Sequence, residues 1–386
     1  MPLFTPQIQA RRRRFTQAAM RWVFHRQRPS EAKGKLSRTG IHKILVCRTV
    51  HTLGDSLTLT PLLQELGATF PGAEVDILNG CAAAQGIYGQ FFFVRRIFQL
   101  PPHAARHPLR TFRAIRAMQQ RQYDLVIDPD PESQSGRLLA LLAHATNSLG
   151  FCGPKKSGRL THEVAIPVEP RHKGTLPVYL LRSATGEPVR QREYPRLDIR
   201  VSPAERRLGR ETLARLNTMQ GIPAANKGSI GVYAYATGSK NLGRNWWNRF
   251  LRVLEPAVAH YSLIEILPAL GYSPLESRYP GFFSSDVRKM AAVMANLRWH
   301  ISADCGVMHL ASAARTPTVG IFSVTPLDEW GPYGEGNRAI DARGMTPEQV
   351  ARRVLDWMDI PAVPLAAERS VKEADGAAFF GALLLR

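Results

Sequence analysis

The sequence is poor in cysteine, in long apolar runs and, at its start, in acid. Its 386 residues hold four cysteines, at Cys47, Cys81, Cys152 and Cys305. None forms a CxxC pair or joins a Cys/His cluster of zinc spacing, which argues against a zinc module and a disulfide scaffold. No apolar run reaches the roughly 18 residues of a membrane span. The stretch "RRRRFTQAAM" at 11–20 begins like a twin-arginine signal, but the next segment, "RWVFHRQRPS", is basic where an apolar region should follow. No export signal is expected, and scarce cysteine then fits a reducing cytoplasm.

The missing acid is replaced by excess base. Residues 1–50 contain twelve Lys/Arg and one Glu, more than half of the chain's net charge of +20. Such an arm suits an anionic surface. Phe15, Ala18, Ala19, Trp22 and Val23 share one helical face, with Arg13, Arg14 and Arg21 off it. That is the pattern of a basic helix lying on a membrane, and equally of a solvated tail. No nucleic-acid-binding motif accompanies the charge, so no nucleic-acid partner is expected.

From residue 41 onward, apolar runs alternate with helical patterns. "IHKILVCR" (41–48), "AEVDILN" (73–79), "FFFVRRIFQL" (91–100) and "DLVIDPD" (124–130) read as strands. Helices are expected within 51–72, over 109–123 and over 135–146. Residues 154–225, rich in Pro, Arg and Lys, read as the end of a first domain and a connection containing one helix at 203–219. A second series follows, with strands at 229–236, 261–269, 297–302 and 316–322 and helices at 245–259, 284–296 and 346–358. Two α/β, Rossmann-like domains facing a central cleft fit this order, with ligands at the carboxyl ends of parallel strands.

"SADCGVMHLASAARTPTVGIF" (302–322) places Asp304, Cys305 and His309 on a strand–turn–helix. Asp304 reads as an N-cap, Gly306 lets a ligand approach the backbone, and the helix start, including Val307, suits a phosphate. A thiolate nucleophile would need a base and an oxyanion site that nothing else in the sequence marks. A metal site would need a second ligand cluster, so no metal and no cofactor are expected. An ordinary βα turn is the plain alternative.

The segment 301–334 resembles the signature of the heptosyltransferase family of glycosyltransferases, family 9: Asp304, a small residue, Gly306, His309-Leu310-Ala311, Thr316-Pro317-Thr318 and Trp330-Gly331-Pro332. Cys305 stands where the family usually has Thr or Ser. Residues 43–78 resemble the family's first strand, its Gly-Asp turn and its Thr-Pro-Leu-Leu helix, with a loop from Arg48 to Asp55 one residue longer than usual. "YATGSKNLGRNWW" (235–247) resembles the third block, with Arg244-Asn245-Trp246 where Lys-x-Trp is expected and Lys240 as a rival cation.

The resemblance implies a GT-B fold and transfer from a nucleotide sugar, ADP-heptose by analogy, to an anionic lipopolysaccharide inner-core glycolipid. The enzyme would work in the cytoplasm, in peripheral contact with the inner-membrane surface. It implies Asp55 as general base, and Thr237, Lys240, Arg244, Asp304, Cys305, Gly306, Val307 and His309 around the nucleotide sugar. Glu276 lies where a ribose contact belongs, and Arg48, Ser135 and Arg137 lie toward the acceptor. The domains implied are a basic arm (1–40), an acceptor-binding domain (41–185), a connection (186–225), a nucleotide-sugar-binding domain (226–345), and a terminal helix and tail (346–386). No DxD metal motif stands between the domains, which suits metal-independent, inverting transfer. A protein heptosyltransferase of the same fold and a non-catalytic sugar-nucleotide-binding relative are the alternatives.

Overall fold

The computed structural model describes residues 34–362 apart from 103, 155, 190–191 and 220–226. The helix expected around 15–23 and the tail lie outside the described residues. The chain divides into two compact units. Unit 1 runs to Val201 and includes Asp286–Arg288; unit 2 comprises Ser202–Ser285 and the chain from Lys289.

Unit 1 alternates strand and helix. Its elements are β1 (Lys43–Arg48), α1 (Leu53–Leu57), α2 (Thr60–Thr69), β2 (Glu74–Asn79), α3 (Ala84–Tyr88), β3 (Val94–Gln99), α4 (Pro108–Gln119), β4 (Gln122–Asp128), α5 (Gln134–Leu142), β5 (His144–Cys152), β6 (His162–Ala165) and α6 (Leu176–Thr185). The strands form one sheet in the order β3-β2-β1-β4-β5-β6, and every neighbouring pair is parallel. β1 reads as an unbroken apolar run because both its faces are covered: Ile44, Leu45, Val46 and Cys47 are fully buried. α2 and α6 are joined by a buried bidentate ion pair, Arg182 Nε to Glu65 Oε1 at 2.8 Å and Nη2 to Oε2 at 3.0 Å. α6 ends at Gly186, whose φ of 76° is left-handed.

Unit 2 repeats the plan with α7 (Pro203–Met219), β7 (Ser229–Tyr233), α8 (Arg244–Ala257), β8 (Ser262–Ile266), β9 (Gly281–Phe282), α9 (Val287–Met294), β10 (Trp299–Ala303), α10 (Gly306–Ala313), β11 (Thr318–Phe322), α11 (Leu327–Trp330), β12 (Arg338–Asp341) and α12 (Pro347–Met358). Its parallel sheet runs β12-β11-β10-β7-β8-β9. One face carries Ile230, Val232, Ile301, Val319 and Ile321, packed with Trp247, Phe250 and Leu254 of α8 and Val350 and Val354 of α12. α12 opens with a capping box, Thr346 with Gln349.

The helix at 203–219 belongs to unit 2. Arg206 donates to the carbonyl of Ala295 at 2.5 Å and Asn296 to that of Arg206 at 2.9 Å. A Cβ on Gly209 would meet the Ala292 carbonyl oxygen at 2.0 Å, so this close crossing requires glycine. The helix expected over 135–146 stops at Leu142 because residues 144–152 are already strand, pairing with β4 and β6.

Renumbered from its own first strand, each sheet has the order 3-2-1-4-5-6 of a doubly wound Rossmann sheet. The topological switch points lie between β1 and β4 in unit 1 and between β7 and β10 in unit 2. Ligands in open α/β sheets bind just beyond the strands at such a point.

Candidate functional site

At the unit 1 switch point, β1 ends in Arg48, which is buried. Its Nη1 donates to Asp130 Oδ2 at 3.1 Å. Its Nη2 donates to the Asp55 carbonyl at 3.5 Å and lies 3.7 Å from Asp55 Oδ1. Asp55 is in the first turn of α1, whose N-cap is Thr52. The Thr52 hydroxyl accepts from the Asp55 N–H at 3.2 Å and donates to Asp55 Oδ2 at 2.5 Å. The carboxylate is thus oriented from two sides while remaining partly exposed, with its side chain 24% accessible. Asp130 follows β4. Burial raises its carboxyl, but Arg48 and the N–H groups of Glu132 and Ser133 outweigh that and hold it below its ordinary value.

Ser135 is exposed, and its hydroxyl lies 2.7 Å from that of Thr49 and 2.9 Å from that of Ser133. Arg137 is a correction: it is buried and internal, not turned toward a ligand. Its Nε donates to Asp128 Oδ2 at 3.2 Å, its Nη1 to Glu163 at 2.9 Å and to the Gly158 carbonyl at 2.7 Å, and its Nη2 to the Phe151 carbonyl. Buried Lys156 completes this brace, 2.6 Å from both Asp128 Oδ2 and the Ser133 carbonyl. Burial raises the Asp128 carboxyl and lowers the Lys156 ammonium, each against the pull of its partners.

At the unit 2 switch point, β7 leads through Tyr235, Ala236 and Thr237 into a single 3₁₀ turn, Gly238–Lys240. Gly238 at φ +65° and Gly243 at φ +79° make the loop's two left-handed bends. Thr237 is exposed at the head of the turn. Lys240 Nζ lies 3.5 Å from Asp304 Oδ2, beyond the end of β10. The expectation that Asp304 caps the following helix is corrected: Cys305 holds the N-cap position. The Asp304 carboxylate instead takes the hydroxyl of Thr325.

Gly306 and Val307 begin α10 and are half-buried, while His309 is buried edge-on to Trp330 with ring centroids 6.3 Å apart. Burial pushes the Cys305 thiol up. The Ser302 hydroxyl and the N–H groups of Met308 and Val307 oppose this without reversing it. A thiol held in its neutral form is not a nucleophile.

Arg244, the first residue of α8, is exposed and pairs with Glu276. Glu276 and Ser277 are both left-handed, at φ 57° and 58°. Their loop is tied down by the buried Glu265, which accepts from Ser273 Oγ at 2.5 Å and from the Leu275 N–H at 3.0 Å. Tyr235 and Tyr272 stand edge to face beside it, 6.1 Å apart.

Each unit therefore brings together residues scattered in the sequence. Arg48, Asp55 and Asp130 meet in unit 1; Lys240, Asp304 and Thr325 meet in unit 2. Thr52, Asp130, Lys156 and Thr325 carried no sequence signal beyond their residue types. Among the described residues no group of three metal-ligating side chains occurs, and no helix is long and apolar enough to cross a membrane.

Two Rossmann-like α/β units, each with a polar constellation at its switch point, define a protein of the GT-B type. Residues 285–357 match the model of glycosyltransferase family 9 (heptosyltransferase). The fold is shared with solved heptosyltransferase structures. The Escherichia coli heptosyltransferase WaaC with ADP is 18% identical, with 82% of this chain and 99% of that chain covered and a TM-score of 0.61. A family 9 glycosyltransferase from Veillonella parvula is 16% identical over 89% of this chain and 99% of its own, at 0.63. The Escherichia coli ADP-heptose lipopolysaccharide heptosyltransferase II is 17% identical over 82% and 98%, at 0.60. No curated protein matches the chain. Residues 285–357 thus carry a family 9 segment, and it lies within a fold shared with solved heptosyltransferases.

Proposed function

We propose that this protein is an inverting, metal-independent heptosyltransferase that moves a heptose from ADP-heptose to an anionic inner-core glycolipid. The observation that carries the reading is the unit 2 switch point, where Lys240 meets the 304–306 turn and the start of α10 inside the family-matched segment. A helix start beside an ammonium group suits a diphosphate. One neighbour of the same fold, the Escherichia coli heptosyltransferase WaaC, was solved with ADP and with an ADP-2-deoxy-2-fluoro heptose, which supports an ADP-sugar as donor. In this reading Thr237, Lys240, Arg244, Asp304, Cys305, Gly306, Val307 and His309 surround the donor, and Glu276 takes the ribose.

Asp55 is the base. As the acceptor hydroxyl oxygen bonds to the anomeric carbon, its proton passes to the Asp55 carboxylate. The bond from that carbon to the diphosphate breaks on the opposite face, and ADP leaves with the electron pair. Lys240, Arg244 and the backbone N–H groups of the α10 start take up the charge. Thr52 and Arg48 fix the direction of the carboxylate, and Ser135 with Thr49 and Ser133 offers hydroxyls toward the acceptor. The basic arm supports working in the cytoplasm against the inner-membrane surface.

The test is transfer from ADP-heptose to truncated core lipids, with Asp55→Asn as control. Turnover should fall by about 10²–10⁴-fold, the usual contribution of a general base, with donor affinity kept. Full activity in Asp55→Asn removes the base assignment. Donor binding without transfer to any acceptor would make the chain a binding protein, and transfer to a polypeptide would move the acceptor class.

A further inference from the structure

From Ile77 to Tyr123 the chain has no acidic residue and seven arginines. Two of these are paired: Arg95 with Glu74, and Arg121 with Glu74 and Asp76. Arg106, Arg110, Arg113 and Arg116, on and just before α4, are exposed and form no ion pair among the described residues. Between them stand Leu109, 75% exposed, and Phe112, 65% exposed. The opposite side of α4 is the packed one, where Met118 is buried and Ala114 and Ile115 rest on the unit 1 core. The outward face is therefore apolar at its centre and cationic around it. At the far edge of the same sheet, the loop after β6 exposes Val168 (88%) and Ile166 (43%).

We propose that the amino-terminal half of α4 is a docking surface for an anionic lipid bilayer, with Leu109 and Phe112 entering the headgroup layer and Arg106, Arg110, Arg113 and Arg116 meeting lipid phosphates. Two large apolar side chains held in water at the centre of a cationic face gain by leaving water, and a basic amphipathic helix lying in the interface is the form that achieves this. Nucleic acid would use the arginines but leave Leu109 and Phe112 without a role. Topology adds a consequence. A crossover helix in a parallel sheet begins beyond the carboxyl end of the preceding strand, so α4 starts at the sheet end that carries Arg48, Asp55 and Asp130. Docking there brings the unit 1 switch point to the bilayer. The link to a lipid-borne acceptor rests on the proposed transferase reading, whereas the docking itself does not.

The full chain is tested by flotation with vesicles of phosphatidylcholine alone and of phosphatidylcholine with phosphatidylglycerol. Binding should require the anionic lipid. Arg110→Gln/Arg113→Gln/Arg116→Gln should weaken it by about a hundred-fold, from roughly five-fold per charge. Leu109→Ser/Phe112→Ser should weaken it by about ten-fold or more. Amides over 106–116 should gain hydrogen-exchange protection on anionic vesicles. All these side chains are exposed, so an unchanged denaturation midpoint shows that the variants remain folded. Wild-type affinity in both variants, or no protection over 106–116, would assign vesicle binding to the basic arm and overturn the proposal. Binding to DNA rather than vesicles, lost in the arginine variant alone, would overturn it in favour of a nucleic-acid surface. Loss of transfer to core lipids with vesicle binding intact would fall on the transferase reading instead.

Discussion

At the unit 1 switch point the cations are buried and braced by carboxylates; at the unit 2 switch point the cations are partly or largely exposed, although Asp304 is buried. Asp128, Arg137 and Lys156 are almost wholly out of water, and Arg48 reaches from the same interior to Asp55 and Asp130. Lys240 is partly buried, 3.5 Å from the buried Asp304, and Arg244 stands at the surface against an exposed carboxylate. Moving a buried charge is expensive because its partners were bought with desolvation, whereas an exposed pair is worth little and exchanges partners readily. Unit 1 is thus built to aim a carboxylate. In unit 2 the exposed Arg244–Glu276 pair can exchange partners readily, which is what the proposed binding of an anionic donor requires.

The contrast breaks most visibly at Arg137. Arg137→Met leaves Glu163 and part of Asp128 without their buried cation and should lower unfolding stability by about 3 kcal/mol, the scale for removing one partner of a buried pair. Arg244→Ala should leave the denaturant midpoint in place. Equal midpoints for the two variants would mean that the brace in unit 1 is no stiffer than a surface pair.

A smaller effect separates the two cations of unit 2. Lys240 already addresses the 304–306 turn, while Arg244 is turned to Glu276. If the proposed transfer from ADP-heptose holds, Lys240→Ala should lower steady-state ADP release by about a hundred-fold, the cost of one donor to developing charge. Arg244→Ala should cost less, and the reverse ranking would make Arg244 the principal diphosphate contact.

A further contrast concerns pH. The unit 2 sheet hides a neutral group where unit 1 hides charged ones. His300 is fully buried on β10 with neither ring nitrogen hydrogen-bonded, and burial pushes it down to about 3 from 6.5. Above pH 6.5 the ring is neutral whether the chain is folded or not, so it adds no pH dependence. Below 6.5 the unfolded chain takes up a proton that the folded one refuses. Stability should therefore fall on acidification by at most about 1.4 kcal/mol per pH unit until the folded value is reached. His300→Leu should flatten that slope in urea titrations run at successive pH values. A slope that persists would trace acid sensitivity to carboxylates held below their ordinary value, among them Asp130 in unit 1 and Asp341 and Glu348 in unit 2.

The elements legible in the sequence were those buried on both faces. β1 is a run of Ile, Leu and Val, and β7, β10 and β11 are short, wholly buried segments around an Ile or Val, because helices cover both sides of a parallel sheet. β5, "HATNSLGFC", has no such run. Partners decide it: six of its residues pair with β4, and Ser148 exchanges hydrogen bonds with Thr161, the residue before β6. β6 and β12 were hidden for the same reason. The strand expected at 91–100 begins only at Val94, since Phe91 is buried in a turn and Phe92 points outward.

By itself the sequence determined the alternation of strand and helix, hence two Rossmann-like units, and the two turns that hold Asp55 and Asp304. Those depend on spacing within a dozen residues, which local geometry alone fixes. Tertiary structure decided which charges work inside and which face outward. Arg48 meets Asp130 across 82 positions, and Arg137 finds Glu163 across 26. Lys240 meets Asp304 because β7 and β10 are neighbours in the sheet. A side chain's role as brace or as ligand contact depends on how much water is left around it, and only the packed sheet sets that.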